Sequence, residues 1–145
     1  MTKQILAVAA AMFFTALAPM PSHAQQLTQA KVPFAFQAGS TTMPAGEYQI
    51  QRASTAATTT QVIRSTDSSV YTFVLTNAVD SSDKKTNPRL IFHCYNNEDE
   101  CFLSEIWVGN GQGLKLIESR REKELSRAAT ENELAVVSVP RTVTP

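Results

Sequence analysis

The sequence has no excess of charge of either sign, because 13 Lys and Arg residues balance 13 Asp and Glu residues. Nucleic acid phosphates are bound by a clustered excess of basic side chains, so this balance argues against a nucleic acid partner. Histidine is scarce as well: the chain of 145 residues has two, and only His93 lies outside its N-terminal segment. A Ser-His-Asp triad would have to use His93, and no Gly-x-Ser-x-Gly motif is present to position the serine.

The same scarcity argues against a metal site. Structural zinc needs four ligands and commonly two cysteines a few residues apart, whereas the only cysteines, Cys94 and Cys101, are widely spaced. The acidic residues at 98–100, and Asp80 with Asp83, lack the central glycine of a calcium-binding loop. The chain is also too short for a doubly wound enzyme that binds a cofactor. We therefore expect neither a metal nor a cofactor.

The N-terminus carries the longest apolar run of the sequence. Residues 5–18 are almost entirely apolar, follow Lys3, and precede two prolines and a Ser-His-Ala sequence that ends at Ala24. A basic start, an apolar stretch and a small-x-small end are the parts of a secretory signal peptide. The run is shorter than the ~20 residues that span a bilayer, so a permanent membrane anchor is the weaker interpretation. We predict that residues 1–24 are a signal peptide cleaved after Ala24, and that the protein is periplasmic or secreted.

The rest of the chain has the pattern of β-strands. Apolar and polar residues alternate repeatedly along residues 34–107, as in half-buried strands. The nine aromatic side chains that follow the predicted signal peptide, Tyr71 and Phe73 among them, all lie in this stretch and place the packed core there. The segments 89–95 and 101–108 are apolar on both faces, which is typical of a central hairpin covered on both sides. We predict an all-β fold, an antiparallel sandwich or flattened barrel of about seven or eight strands.

Other segments predict loops and one helix. Residues 39–42 and 78–87 are rich in turn-forming and charged residues, which is typical of loops. Ser119 and Glu122 have the spacing of a capping box, which predicts a short C-terminal helix over about 120–129. Its basic and acidic side chains are interleaved, as on a solvated helix face.

The end of the chain completes the predicted organisation. Residues 134–139 predict a last strand, and residues 140–145 predict a flexible tail. Residues 25–139 would then form a single β domain after removal of the signal peptide.

The two cysteines are placed to form a disulfide. If they lie on the two strands of the predicted hairpin, Cys94 and Cys101 face each other, and the same register places Phe92 beside Leu103. Opposed Cβ atoms in an antiparallel pair lie about 4.5–5.5 Å apart, close to what a disulfide accepts. Export would bring the chain into an oxidising compartment, where disulfides persist. We predict a Cys94–Cys101 disulfide; two free buried thiols, or a metal site that includes His93, are the alternatives.

Glu105 is a charged residue in an otherwise apolar strand. It lies between Leu103 and Trp107, and strict alternation places all three on the face of Cys101. A buried carboxylate needs a partner, which Arg89 or an arginine of the predicted helix could supply. We predict a buried ion pair at Glu105, and the alternative is a carboxylate that faces a ligand beside Trp107.

Six segments together resemble a family of small exported, uncharacterised β-rich bacterial proteins. They are VPFAF (32–36), MPAGEYQI (43–50), FVLT (73–76), LIFHCY (90–95), FLSEIW (102–107) and SRREKEL (119–125). The resemblance extends over nearly all of the chain after the signal peptide. It implies export and a compact β domain, and it assigns no catalytic or binding residue.

These observations favour a non-enzymatic function. We expect an exported β module that binds a ligand or a cell-surface partner whose identity the sequence does not reveal. The first alternative is a structural or assembly component of the cell envelope, which could pair through an edge strand at residues 31–37. The second is an enzyme of unknown type, for which no catalytic constellation is evident.

Overall fold

A computed structural model of the chain describes residues 28–83, 87–96, 99–129 and 133–138. These residues form ten β-strands and one short helix, which confirms the prediction of an all-β fold with a C-terminal helix. The predicted signal peptide and tail lie outside the described residues. The elements are β1 (Thr28–Val32), β2 (Phe36–Ala38), β3 (Thr41–Met43), β4 (Gly46–Arg52), β5 (Thr60–Ser65), β6 (Tyr71–Asp80), β7 (Arg89–Tyr95), β8 (Glu100–Gly109), β9 (Gln112–Leu116), α1 (Arg120–Ala128) and β10 (Glu133–Ser138).

The strands form one mixed sheet. Its order runs β1-β4-β5-β6-β9-β8, and β8 also pairs with β7, which in turn pairs with β10. The pairs are antiparallel except for β2 and β8, which run parallel where Gln37 meets Phe102. Over the described residues the sheet is not closed into a barrel. No helix of this described part is long and apolar enough to cross a membrane.

The long strand β6 is the corner at which the sheet folds over. Residues 71–75 pair with β5, whereas residues 76–80 pair with β9. One half of β6 therefore belongs to a layer with β1, β4 and β5, and the other half belongs to a layer with β7, β8 and β9. The prediction of a loop at 78–87 is wrong for Ala78, Val79 and Asp80, because backbone pairing with β9 extends the strand through them.

The strand count exceeds the predicted seven or eight for two reasons. The predicted first strand is divided into β1 and β2 around Pro33, which has no N–H to donate to a ladder. The predicted turn at 39–42 contains the start of β3, because Gly39 adopts a φ of 61° and reverses the chain so that Phe36 pairs with Met43.

The core lies between the two layers. The ring of Phe36 is in edge-to-face contact with Tyr48 of one layer, at 5.2 Å between centroids, and with Phe92 of the other, at 5.3 Å. All three side chains are almost completely buried. Aromatic pairs at this separation stabilise beyond their buried area alone. These contacts hold the folded sheet together across its corner.

A β-bulge interrupts the pairing of β7 with β8. Phe92 lies opposite Leu103, as predicted, but the next residue back along β7, Ile91, lies opposite Glu105. Ser104 is therefore an extra residue in β8. An extra residue moves every side chain beyond it to the other face of the sheet.

The bulge divides β8 into two halves with different orientations. Cys101 and Leu103 belong to the core between the layers. Glu105 and Trp107, beyond the bulge, point to the outer face. The prediction that all four share one face is wrong, because strict alternation does not reveal a bulge.

Candidate functional site

The predicted disulfide is confirmed. Cys94 and Cys101 lie directly opposite each other on β7 and β8, with an S–S distance of 2.03 Å. Both residues are buried, at 2% and 6% exposure, so the bond closes the hairpin from within the core. The bond uses both thiols, which removes the alternatives of free thiols and of a metal site built on them. Among the described residues, no group of three or more His, Cys, Asp or Glu side chains could hold a metal ion.

Arg89, Glu105 and Trp107 form one cluster on the outer face of β7 and β8. Arg89 lies opposite Trp107, and its guanidinium carbon is 5.7 Å from the centroid of the indole ring. The indole Nε1 of Trp107 donates a hydrogen bond to Oε2 of Glu105 at 2.7 Å. The three residues lie together as predicted, but Glu105 binds Trp107 and Arg89 lies over the indole ring, so the predicted contacts are wrong.

Glu105 has no arginine partner within the described residues. Its neighbours across the strands are Ile91 on β7 and Lys115 on β9, while Arg89 is aligned with Trp107. The predicted ion pair is thus replaced by a hydrogen bond from the indole N–H. Trp107 is only 8% exposed, so most of the surface of its indole ring is in contact with the protein.

The helix α1 contains a second acidic residue of interest, Glu122. Ser119 caps the helix, as predicted, by accepting a hydrogen bond from the backbone N–H of Glu122 at 3.2 Å. The side chain of Glu122 was expected on a solvated face but is buried, at 4% exposure. Its Oε1 accepts no hydrogen bond and lies 3.7 Å from Nδ1 of His93.

The burial of Glu122 changes its acidity. Desolvation, reinforced by the negative charge of Glu118, raises the pKa of Glu122 to about 7, and Lys115 opposes this rise. Sequence reasoning missed this residue because a glutamate in a capping box normally reaches back toward the N-cap. The position of β7 beneath the helix, which only the fold reveals, directs it inward.

The outer face of β5 and β6 exposes an apolar surface. We call it the β6 face, and it consists of the exposed residues Arg64, Tyr71, Phe73, Leu75 and Ile117 around Val62, which is itself buried. Within it, Tyr71, Phe73 and Leu75 are 58%, 61% and 56% exposed. Ile117, which is 50% exposed, adjoins Leu75 through a backbone hydrogen bond of 3.0 Å from its N–H to the Leu75 carbonyl. Exposed apolar clusters of this kind commonly mark interaction sites.

The opposite face of β6 explains why the aromatic residues point outward. Val74 and Thr76 face the core, at 4% and 1% exposure. The hydroxyl of Thr76 donates to the carbonyl of Thr59 at 3.0 Å, so the buried threonine is satisfied. The stretch predicted to hold the packed core does hold it, but Tyr71 and Phe73 of that stretch lie outside the core. The period of two was recognised correctly, but the more apolar face is the one that faces solvent.

The turn between β5 and β6 adjoins the end of the β6 face at which Arg64 and Tyr71 lie. Oδ1 of Asp67 accepts hydrogen bonds from Oγ of Ser65 at 2.6 Å and from Oγ and N–H of Ser69 at 2.7 and 3.0 Å. These bonds stabilise the carboxylate and lower the pKa of Asp67 to about 2. The turn sets the register in which Arg64 lies opposite Tyr71.

The chain was compared with known protein families, curated proteins and solved structures. No protein-family model, no curated protein and no solved structure matches the chain. The resemblance to exported β-rich bacterial proteins stays a prediction, and the function has to be inferred from the residues of the chain itself.

Proposed function

We propose that the protein is an exported, non-enzymatic module that binds a partner protein through the β6 face. The observation that carries the proposal is the exposure of Tyr71, Phe73 and Leu75, each of which leaves more than half of its surface in solvent. Large apolar side chains on one strand face gain about 1.5–3 kcal/mol each when they are fully buried. A complementary protein surface would supply that burial.

The composition of the β6 face fits a protein interface. Aromatic residues and arginine are enriched at the centres of such interfaces, and Lys, Glu and Asp are depleted there. The face has two aromatic rings, those of Tyr71 and Phe73, in edge-to-face contact at 6.1 Å. Its one charged residue is Arg64, whose guanidinium carbon lies 5.9 Å from the centroid of the Tyr71 ring.

Arg64 also defines the charge of the partner. Elsewhere on this outer face, Lys31 lies directly opposite Glu47, so their charges offset each other. Arg64 lies between Gln49 on β4 and Tyr71 on β6, neither of which is an acidic residue. Complementarity therefore favours an apolar partner surface with a carboxylate placed over Arg64.

Two further observations support export as part of the proposal. The apolar run at residues 5–18 has the form of a signal peptide. The disulfide between Cys94 and Cys101 fits an oxidising compartment such as the periplasm or the exterior.

The experiment begins with the mature protein immobilised and exposed to periplasmic and secreted fractions of the producing cell. A captured protein is purified, and its affinity is measured for wild type, Phe73→Ser and Arg64→Glu. We expect each substitution to weaken binding by about 10- to 100-fold, as for a central interface residue. Val136→Ser is the matched control, because Val136 is 57% exposed but lies on β10 of the other layer. This control should bind like wild type.

Charge reversal on the partner makes the test specific. A lysine in place of the partner's carboxylate should restore binding to Arg64→Glu and to no other variant. Affinity that is unchanged in both Phe73→Ser and Arg64→Glu would overturn the proposal. Sedimentation of the protein alone covers the structural alternative: a dimer that Phe73→Ser dissociates would show that the face joins two copies of this chain and not a different protein.

A further inference from the structure

The helix α1 is attached to the sheet by few contacts. Glu122 is its only buried residue, and Leu125 is only partly buried. Arg121 forms a bidentate ion pair with Glu100, at 2.7 and 3.1 Å, but the pair lies at the surface, where solvent weakens it. A helix of nine residues is too short to be stable alone in water, so its persistence depends on docking. The packing of α1 against the sheet therefore depends on the free energy of burying the Glu122 side chain.

The surroundings of Glu122 favour the neutral carboxyl group. The titratable groups that face it are His93 and Tyr95 from β7, Lys115 from β9 and Glu118 from the segment before the helix. Oε1 has no hydrogen-bond partner, and the nearest candidate cation is the imidazole of His93 at 3.7 Å. An ionised carboxylate buried in this way is costly, whereas a protonated one is tolerated.

We propose that α1 is a cover on the outer face of β7 and β8 that stays closed while Glu122 is neutral and opens when Glu122 ionises. Beside Glu122, this outer face holds Tyr95 and Phe102, which are 2% and 1% exposed and in ring contact at 5.8 Å. Opening would bring this aromatic pair into contact with solvent. The cover is distinct from the β6 face and does not depend on the function proposed for it.

The direction of the pH response follows from proton linkage. The closed state holds the Glu122 proton with a pKa of about 7, and an undocked, solvated Glu122 would have the ordinary pKa of 4.5. The closed state therefore binds more protons, and rising pH favours the open state. Between about pH 5.5 and about pH 8 the opening equilibrium constant should rise roughly 25- to 30-fold.

Hydrogen–deuterium exchange of the amides at 120–129 in the full mature protein tests the proposal. Rates at about pH 5.5 and about pH 8 are divided by the intrinsic chemical rates, which gives the opening equilibrium. We expect the rise of roughly 25- to 30-fold in wild type and little change in Glu122→Gln, because the amide stays neutral. Glu124→Gln is the matched control on the exposed side of the same helix and should respond like wild type.

Two further variants identify the group that titrates. Glu118→Gln removes a like charge that helps to raise the pKa of Glu122 in the closed state, so the opening constant should rise less between the two pH values than in wild type. This keeps the proposal testable even if Glu122→Gln does not fold. A pH response that persists in Glu122→Gln, or that is lost in His93→Gln alone, would overturn the assignment to Glu122. Equal protection at both pH values in wild type would overturn the cover itself.

Discussion

The indole ring of Trp107 occupies the space where a side chain of Gly113 would be. The two residues are paired across β8 and β9, and a Cβ at Gly113 would lie 2.8 Å from the Cδ2 and Cε3 atoms of the ring. From the other neighbouring strand, Arg89 places its guanidinium over the same indole. Glycine is required here because it leaves room for the ring. The outer cluster of β8 therefore depends on a residue with no side chain.

Gly113→Ala is expected to destabilise the fold by about 1–3 kcal/mol, because the ring or the strand must shift to admit the methyl group. The control is Gly46→Ala, where the new Cβ would be 3.9 Å from Cε2 of Tyr48, an ordinary contact. Urea denaturation of both variants measures the difference. A Gly113→Ala variant as stable as Gly46→Ala would show that the ring is free to move.

Substitutions of Glu105 should separate a hydrogen bond from an ion pair. Glu105→Gln retains an oxygen that can accept from the indole N–H of Trp107, so we expect a change below about 1 kcal/mol. Glu105→Ala leaves that N–H without its partner and should cost about 1–3 kcal/mol. Chemical denaturation followed by the fluorescence of Trp107 measures both. A loss in Glu105→Gln as large as in Glu105→Ala would indicate that the charge itself is needed.

The disulfide should stabilise the hairpin without being essential for folding. Cys94 and Cys101 are seven positions apart, and closing so short a loop contributes about 2–3 kcal/mol through chain entropy. The double variant Cys94→Ala/Cys101→Ala should fold with a stability lower by about that amount. Mass analysis of the mature protein under non-reducing conditions should find about two mass units fewer than for the dithiol. Two thiols that react freely with an alkylating agent would contradict the bond.

Acid should loosen the turn between β5 and β6. The folded state lowers the pKa of Asp67 to about 2 from its ordinary value of 3.8, so the folded state binds fewer protons than the unfolded one in this range. The stabilisation is present above the ordinary pKa and is lost as the pH falls toward 2. NMR titration of Asp67 should find the low pKa, and Asp67→Asn should weaken the dependence of thermal stability on pH in this window. A carboxyl that titrates near its ordinary pKa would show that the serine contacts do not persist in solution.

The sequence was most informative where structure is local. A short hairpin has a register that its connecting loop restricts. This restriction explains why Cys94 lies opposite Cys101 and Phe92 lies opposite Leu103, as predicted. The N-cap at Ser119 was found for the same reason, because a capping motif spans only four residues.

Three features could not be predicted because each depends on residues far along the chain. The bulge at Ser104 inverts the face of Glu105 and Trp107 without any change in the apolar pattern. The outward direction of Phe73 depends on which face of β6 meets the other layer. The burial of Glu122 depends on where α1 packs against β7. A capping motif does not specify the surface against which its helix packs.

The parallel pairing of Gln37 with Phe102 joins two segments that lie far apart along the chain. β2 supplies Phe36, which joins the two layers of the core, yet its neighbour β8 is synthesised much later. Contacts between distant segments form slowly, because the loop between them must close first. The core therefore stays incomplete until most of the chain is present. Late folding of this kind is compatible with the proposed export. A chain that is still unfolded can cross a membrane in extended form and fold on the other side.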